Sequence, residues 1–267
     1  MQYPVNDLHS LNNFSAGLLW NFVLLNKQTM TKHFKNQKLV VAGGTSGIGL
    51  ATAKMLLESG GDVIVTGRDQ KKIDALRISD PDLKAIALDS TDKTKLANFF
   101  SSTGPFDHLI ITLSGAKGGG LFQELSLDDL REGFEKKFWP YLQTIQAALP
   151  FLRKNGSITI LTASSTTARL PGTAGLAAIN GALEVMIPIL AKDLKPIRVN
   201  AISPGVIDTP WWNFLSETDK QTTFEQLSTQ VAVGRVGTAE EIAAAIVGVV
   251  GNTYINGSVI FCNGGLS

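Results

Sequence analysis

Short, mostly uninterrupted apolar runs recur along the chain from Lys38 onward: Leu39–Ala42, Asp62–Thr66, Ala85–Leu88, His108–Thr112, Ser157–Leu161, Arg198–Ile202 and Ser258–Cys262. Continuous rather than alternating runs are the mark of strands covered on both faces, as in a parallel sheet. The spacers between them are long enough for crossover helices. This order predicts an α/β protein, a doubly wound parallel sheet with helices on both faces and ligands bound at the carboxyl ends of the strands.

Two helices can be placed from their patterns. Ser126-Leu-Asp-Asp129 is a capping-box pattern, after which Leu127, Leu130, Phe134, Tyr141 and Ile145 recur at helical spacing, with Pro140 expected to bend the helix. The second runs from about Gly175 to Leu194 and is apolar nearly all round before Lys192. Such a helix needs cover on several sides, which predicts a subunit interface there, and Pro188 is expected to kink it.

Residues 1–30 stand outside the pattern. Their apolar run, Phe14–Leu25, is shorter than the roughly 20 residues a bilayer requires, and it lacks the flanks of a secretory signal. It reads as a loosely held extension or, the reading favoured by the short polar lead Thr31–Gln37, as sequence ahead of a true start at Met30; the alternative is that Leu18–Leu25 packs on the body or on a partner subunit. Residues 31–267 then form one domain, and no membrane association is expected. With 267 residues, 44% hydrophobic and 18% charged, the chain can bury one large core. A net charge of +1 and the lack of a basic run argue against a nucleic-acid partner. The lone Cys262 rules out an internal disulfide and a cysteine metal cluster, and it fits a reducing, cytoplasmic setting; Cys262 itself is expected on a buried strand. His9, His33 and His108 are scattered, so no metal site is expected, and His108, on a strand, is expected to be structural.

After the first predicted strand comes Gly43-Gly-Thr-Ser-Gly47-Ile-Gly49, opening into Leu50-Ala-Thr-Ala-Lys-Met. Gly43 permits a tight turn, Gly47 lets backbone approach a pyrophosphate, and Gly49 lets helix and strand pack closely, with the helix N-terminus facing the anion. Glycines alone are weak evidence; placed between strand and helix they predict a Rossmann-type dinucleotide site.

The spacing G-x-x-x-G-x-G resembles the short-chain dehydrogenase/reductase form of this fingerprint, with Ala42 where a threonine is usual. The resemblance extends through Asp89-Ser90, Asn200-Ala-Ile-Ser-Pro204-Gly205-Val-Ile207-Asp-Thr209, Gly234-Arg-Val-Gly-Thr-Ala-Glu-Glu-Ile and Ile255-Asn-Gly-Ser-Val-Ile, from about Lys38 to Gly265. It implies that Gly43, Thr45, Ser46, Gly47, Ile48 and Gly49 cradle the cofactor. Asp89 and Ser90 would lie beside the adenine, Pro204 and Gly205 would border the nicotinamide, and Ile207 and Thr209 would hold its carboxamide. Ser114 and Asn180 complete the implied cofactor set, and family habit implies a homodimer or homotetramer.

Charge selects the dinucleotide. The second strand ends Val65-Thr66-Gly67-Arg68, with Gly67 where an NAD-specific site carries a carboxylate. Arg68 offers a planar fork to a 2′-phosphate, so NADP(H) is the expected cofactor; the alternative is a solvated surface charge. Asp69 is expected to point into the following helix start.

The family's catalytic residues are absent. Counted from Gly156-Ser-Ile-Thr-Ile-Leu-Thr162-Ala163-Ser164 and from Leu190-Ala-Lys-Asp-Leu-Lys-Pro-Ile-Arg-Val-Asn200, the serine position falls on Ala163, the tyrosine on Leu176 and the lysine on Asn180. Counted from Gln146-Ala-Ala-Leu, the asparagine position falls on Lys137. A substitute set is available: Lys137 and Tyr141 share a helix stripe, and burial would bring the Lys137 pKa toward a working value. Lys137 is then expected near the nicotinamide ribose, with Thr162 or Ser164 offering a hydroxyl to substrate; the alternative is a Lys137 that reaches solvent beside Lys136.

Pro210-Trp211-Trp212-Asn-Phe214-Leu215 falls where relatives carry a lid, here expected near 210–230. Its tryptophans point to an apolar or aromatic small-molecule substrate, or to packing beneath the lid. Gly115-Ala-Lys-Gly-Gly-Gly120 should form a flexible rim opposite. Three functions remain open: an NADP(H)-dependent oxidoreductase on a carbonyl or alcohol with a non-standard acid–base system, a non-catalytic NADP(H)-binding sensor or scaffold, and a non-redox lyase or cyclase.

Overall fold

The computed structural model describes residues 33–115 and 117–266; the expectations for residues 1–30 lie outside them. Each of the seven apolar runs forms a strand: β1 (Lys38–Ala42), β2 (Asp62–Gly67), β3 (Lys84–Ala87), β4 (Phe106–Ile111), β5 (Leu152–Leu161), β6 (Arg198–Pro204) and, after two short strands β7 (Ile207–Asp208) and β8 (Gly237–Thr238), β9 (Val259–Cys262). The sheet order is β3-β2-β1-β4-β5-β6-β9, and every pairing is parallel. β1 therefore lies between β2 and β4, where the winding direction reverses and a crevice opens at the carboxyl ends.

Helices cover both faces. On one lie α1 (Gly47–Glu58), α2 (Gln70–Ser79) and α9 (Ala239–Gly251), burying Ala53, Leu56, Ile73, Leu76, Ile242 and Ile246 against Leu39, Val41, Val63 and Val65. On the other lie α3 (Lys93–Thr103), α5 (Trp139–Ala148) and α7 (Ala174–Asp193), which bury Leu96, Phe100, Tyr141, Ile145, Leu183 and Ile187 against Val40, Leu109 and Ile158. Side chains of this kind each stabilise the fold by roughly 1.5–3 kcal/mol when fully buried. Alternate residues of β1 go to opposite clusters, which is why its run is apolar without a break.

The helix expected after Ser126 is not continuous. Ser126 Oγ does cap it, accepting the Asp129 N–H at 3.1 Å, but α4 (Leu127–Gly133) passes into a π-helical turn at Phe134–Phe138 before α5. The Trp139 N–H bonds back five residues to Phe134 O. Pro140 follows in the first turn of α5, so the widened turn absorbs a residue with no N–H to give. Of the expected stripe, Leu127 is 66% exposed at the helix start, Leu130 and Phe134 are half-buried, and Lys137 and Tyr141 are buried together with Pro140.

α7 runs unbroken through Pro188. Ile179, Leu183 and Ile187 face the core, whereas Val185 and Ile189 stand more than half exposed on the opposite side. Cys262 departs from expectation: β9 is the sheet edge, paired only with β6, and Cys262 is half-buried. His108 is structural as expected. Its Nδ1 lies 2.8 Å from Ser157 Oγ and its Nε2 2.9 Å from Gln37 Oε1, and burial pushes its pKa down to about 4.

Candidate active site

The carboxyl ends of β1, β2, β4, β5 and β6 open on one cleft of about 1090 Å³. Its floor is the glycine turn. Gly43 sits at φ +87°, and a Cβ there would come within 2.8 Å of the Thr112 carbonyl carbon. A Cβ on Gly49 would lie 2.3 Å from Gly43 O, so the start of α1 can approach β1 only with a bare glycine. Ser46, the N-cap residue of α1, makes no side-chain cap bond, which leaves the first-turn N–H groups facing the cleft.

At the β2 end, a Cβ on Gly67 would meet Thr45 Cγ2 at 2.6 Å. Thr45 thus fills the space an acidic side chain would need. Arg68 borders the cleft and is exposed. Asp69 turns away as expected, its carboxylate accepting the Lys71 and Lys72 N–H groups at 2.9 and 3.3 Å. One cation here escaped the sequence reading: Lys72 Nζ reaches to 3.5 Å from Ser46 Oγ. Its spacing from Asp69, one turn into α2, was the available signal. Asp89 and Ser90 line the same end, and the Thr91 N–H holds the Asp89 carboxyl below the usual carboxylate range.

At the β6 end, Pro204, Gly205, Ile207 and Thr209 line the cleft with Ile48 and Ser114. The Gly205 N–H is pinned to Cys262 O at 3.1 Å. Thr209 Oγ1 accepts the Trp211 N–H, starting a 3-10 turn at Pro210–Trp212 that leads to α8 (Glu217–Ser228). Trp212 donates through Nε1 to Ile207 O at 3.0 Å and stacks with Phe214, while Trp211 stands edge-on to both. Trp212 is the packed member. Trp211 is 38% and Phe214 64% exposed, and Leu121 and Phe122, just past the glycine-rich rim, are exposed too.

Between these ends, Lys137, Ala163, Leu176 and Asn180 converge on the cleft wall. Lys137 is buried; it does not run out beside Lys136, which is exposed and pairs with Glu132. Lys137 Nζ donates to Asn180 Oδ1 at 2.7 Å and to Thr162 O at 3.4 Å, and it lies 5.8 Å from the centre of the Tyr141 ring. Burial lowers its pKa to about 8, against the opposing pull of the Glu184 charge.

Three expected participants are engaged elsewhere. Tyr141 is fully buried and shares its one proton between Leu113 O (3.0 Å) and Leu161 O (2.8 Å), and burial raises its pKa further. It ties β4 to β5 and exchanges no proton with the cleft. The Thr162 hydroxyl donates to Glu184 Oε1 at 2.6 Å, and the Ser164 hydroxyl donates to Ser203 O at 3.1 Å. Their protons are spent on the protein, that of Thr162 on a carboxylate of α7 and that of Ser164 on a carbonyl of β6. Glu184, which also accepts from Ser203 Oγ at 2.9 Å, was missed. As the one acid in α7 before Asp193, four residues after Asn180, it was a visible anomaly.

A parallel sheet with a bare glycine turn, a cationic margin at the β2 end and a pocket bordered by tryptophans at the β6 end defines a dinucleotide-dependent oxidoreductase scaffold. The family model described as enoyl-(acyl carrier protein) reductase matches residues 42–267. A short-chain dehydrogenase/reductase of Gibberella fujikuroi is 27% identical over 249 residues, covering 85% of this chain and 93% of its own. Among solved structures, a small-chain dehydrogenase in complex with NADPH has 32% identity and a TM-score of 0.76, covering 86% of this chain and 98% of its own. An NADPH-bound short-chain oxidoreductase from Pseudomonas aeruginosa, described as containing an atypical catalytic center, has 27% identity and a TM-score of 0.79, covering 88% of this chain and 98% of its own. The chain belongs to the short-chain dehydrogenase/reductase family and is an oxidoreductase of that family.

Proposed function

We propose that this protein is an NADP(H)-dependent oxidoreductase that interconverts an apolar or aromatic carbonyl compound and its alcohol, with Lys137 as its acid–base group. Three features of the β2 end favour the phosphorylated cofactor: Thr45 occupies the place of a ribose-binding acid, Arg68 stands exposed at the margin, and Lys72 leans over Ser46. The NADPH-bound neighbours support the same choice.

The observation that carries the mechanism is the Lys137–Asn180 pair. Relative to the family pattern, lysine and asparagine have exchanged places on facing helices, so the ammonium still reaches the cleft wall. An ammonium has three protons, and two are directed to Asn180 Oδ1 and Thr162 O, which leaves one for the cleft. Bound NADPH would supply a hydride with its electron pair to the carbonyl carbon. Lys137 then gives its proton to the resulting oxygen and recovers one from solvent. A group with a pKa of about 8 is well placed for this near neutral pH. Trp211 and Trp212 line the cleft, and Trp211 with its neighbour Phe214 is exposed, favouring an apolar substrate.

The test is fluorescence titration with NADPH and NADH, followed by a panel of apolar aldehydes and ketones. Preferential NADPH binding and oxidation by a panel member are expected, with turnover lost in Lys137→Met. Tight binding with no turnover would instead favour a cofactor sensor, the reading that Leu176 and Ala163 support. The apolar outer face of α7 supports a homodimer or homotetramer; a clean monomer by light scattering would refute it.

A further inference from the structure

Ser165 opens α6 (Ser165–Ala168), lines the cleft, and took no part in the sequence reading. Its Oγ lies 3.2 Å from Asn180 Nδ2. An amide NH2 only donates, so the serine oxygen accepts there and its own proton is left over. No acceptor takes that proton among the described residues. Of the neighbouring hydroxyls that follow β5, Thr162 donates to Glu184, Ser164 to Ser203 O and Thr173 to Leu170 O.

The arrangement behind Ser165 is directional. Lys137 can only donate, so the oxygen of the Asn180 amide must face it, and the nitrogen must face Ser165 and Leu176 O, 2.9 Å away. Ammonium, amide and hydroxyl therefore point the same way, and each bond strengthens the next in a poorly solvated wall. The chain ends at a hydroxyl on the cleft lining, with a proton left to give, beside Ala163 and Leu176, whose apolar side chains offer no rival partner.

We infer that Ser165 is a catalytic hydroxyl that donates a hydrogen bond to the substrate's carbonyl oxygen, at the end of the Lys137–Asn180–Ser165 chain. The inference rests on the carbonyl-reductase reading and deepens it. No bond to Ser165 forms or breaks. As a hydrogen and two electrons from the reduced dinucleotide reach the carbonyl carbon, the π pair moves onto oxygen. The Ser165 O–H then tightens on the forming alkoxide, which takes its proton from Lys137; the dinucleotide leaves oxidised.

Infrared difference spectroscopy of the protein with NADP+ and acetophenone labelled with carbon-13 at the carbonyl reads the bond without turnover. The carbonyl stretch is expected to fall on binding to the native protein and to Ser165→Thr, and to return to the free-ketone position in Ser165→Ala. In parallel, single-turnover reduction by NADPH should slow about 10²-fold in Ser165→Ala, the scale of losing one such donor, with NADPH affinity unchanged. A native stretch or a native rate in Ser165→Ala overturns the inference and leaves the reductase reading standing. A stretch lowered through Ser165 in a protein that never transfers hydride sinks the reductase reading and leaves the hydrogen bond standing. A stretch unmoved in the native protein overturns the assignment of Ser165 outright.

Discussion

Holding a charged lysine in the cleft wall costs this fold stability, and replacing Lys137 by methionine exposes that cost. The side chains are similar in length, so packing against Tyr141 is largely kept. Burial lowers the Lys137 pKa from 10.5 to about 8, which corresponds to about 3 kcal/mol of disfavoured charge. The sign follows from proton binding. Between pH 8 and 10.5 the unfolded chain keeps the lysine proton that the folded chain has released, so this residue's contribution to stability rises with pH. Below pH 8 both states are protonated and the full penalty is present. The methionine variant carries no such penalty at any pH, but it leaves Asn180 Oδ1 unpaired at a cost that does not depend on pH. The gap in unfolding free energy, variant minus native, should therefore shrink by about 3 kcal/mol from pH 7 to pH 10.5. Urea unfolding at pH intervals, with m-values compared to confirm equal exposure, measures that gap. A gap flat across the range would show that Lys137 is solvated in the native protein, and the proposed chemistry would fall with it.

Tyr141→Phe leaves two buried carbonyls short of a donor, so it should destabilise by about 1–3 kcal/mol while kcat stays within twofold of native; a collapse of kcat with stability intact would return Tyr141 to the chemistry. Arg68→Ala combined with Lys72→Ala should weaken NADPH binding about 10–100-fold and leave NADH binding nearly unchanged, as expected for losing charge-assisted bonds to one phosphate. Equal losses for both nucleotides in fluorescence titrations would place these cations elsewhere. Glu184→Gln keeps an oxygen for Thr162 and Ser203 but removes the charge that raises the Lys137 pKa, so the alkaline limb of the kcat profile for carbonyl reduction should move to lower pH; an unmoved limb would mean Glu184 is only a brace.

The sheet was legible because a parallel strand must be apolar on both faces. Val40 and Val41 go to opposite cores, and a run like theirs has few other uses. The glycine turn was legible for a steric reason, since no other residue fits where Gly43 and Gly49 approach backbone. Ala163, Leu176 and Asn180 were found by counting from the segments of β5 and β6, which fix the register, and Lys137 by counting back along its own helix from Gln146. What escaped was the direction of small polar groups. Thr162, Ser164 and Ser165 look alike in sequence, yet two turn their protons into the protein and one does not, and a single χ angle separates those outcomes. Lys72 and Glu184 escaped because each acts through a partner distant in the chain. The broken helix escaped because one extra residue in a turn leaves a periodic pattern almost intact.

That extra residue sets how this wall can change. In a regular helix the direction of every side chain is tied to all the others, so turning one inward turns its neighbours as well. The wide turn at Phe134–Phe138 loosens this link: α4 keeps its seat at the rim, α5 keeps Tyr141 clamped between strands, and the stretch carrying Lys137 is oriented separately. Removing a single residue there would rejoin the two halves and rotate one against the other by about 100°. The reach of the ammonium is thus governed by the length of one turn, and a lineage could swing a cation into or out of this cleft by an insertion or deletion, with the sheet beneath it undisturbed.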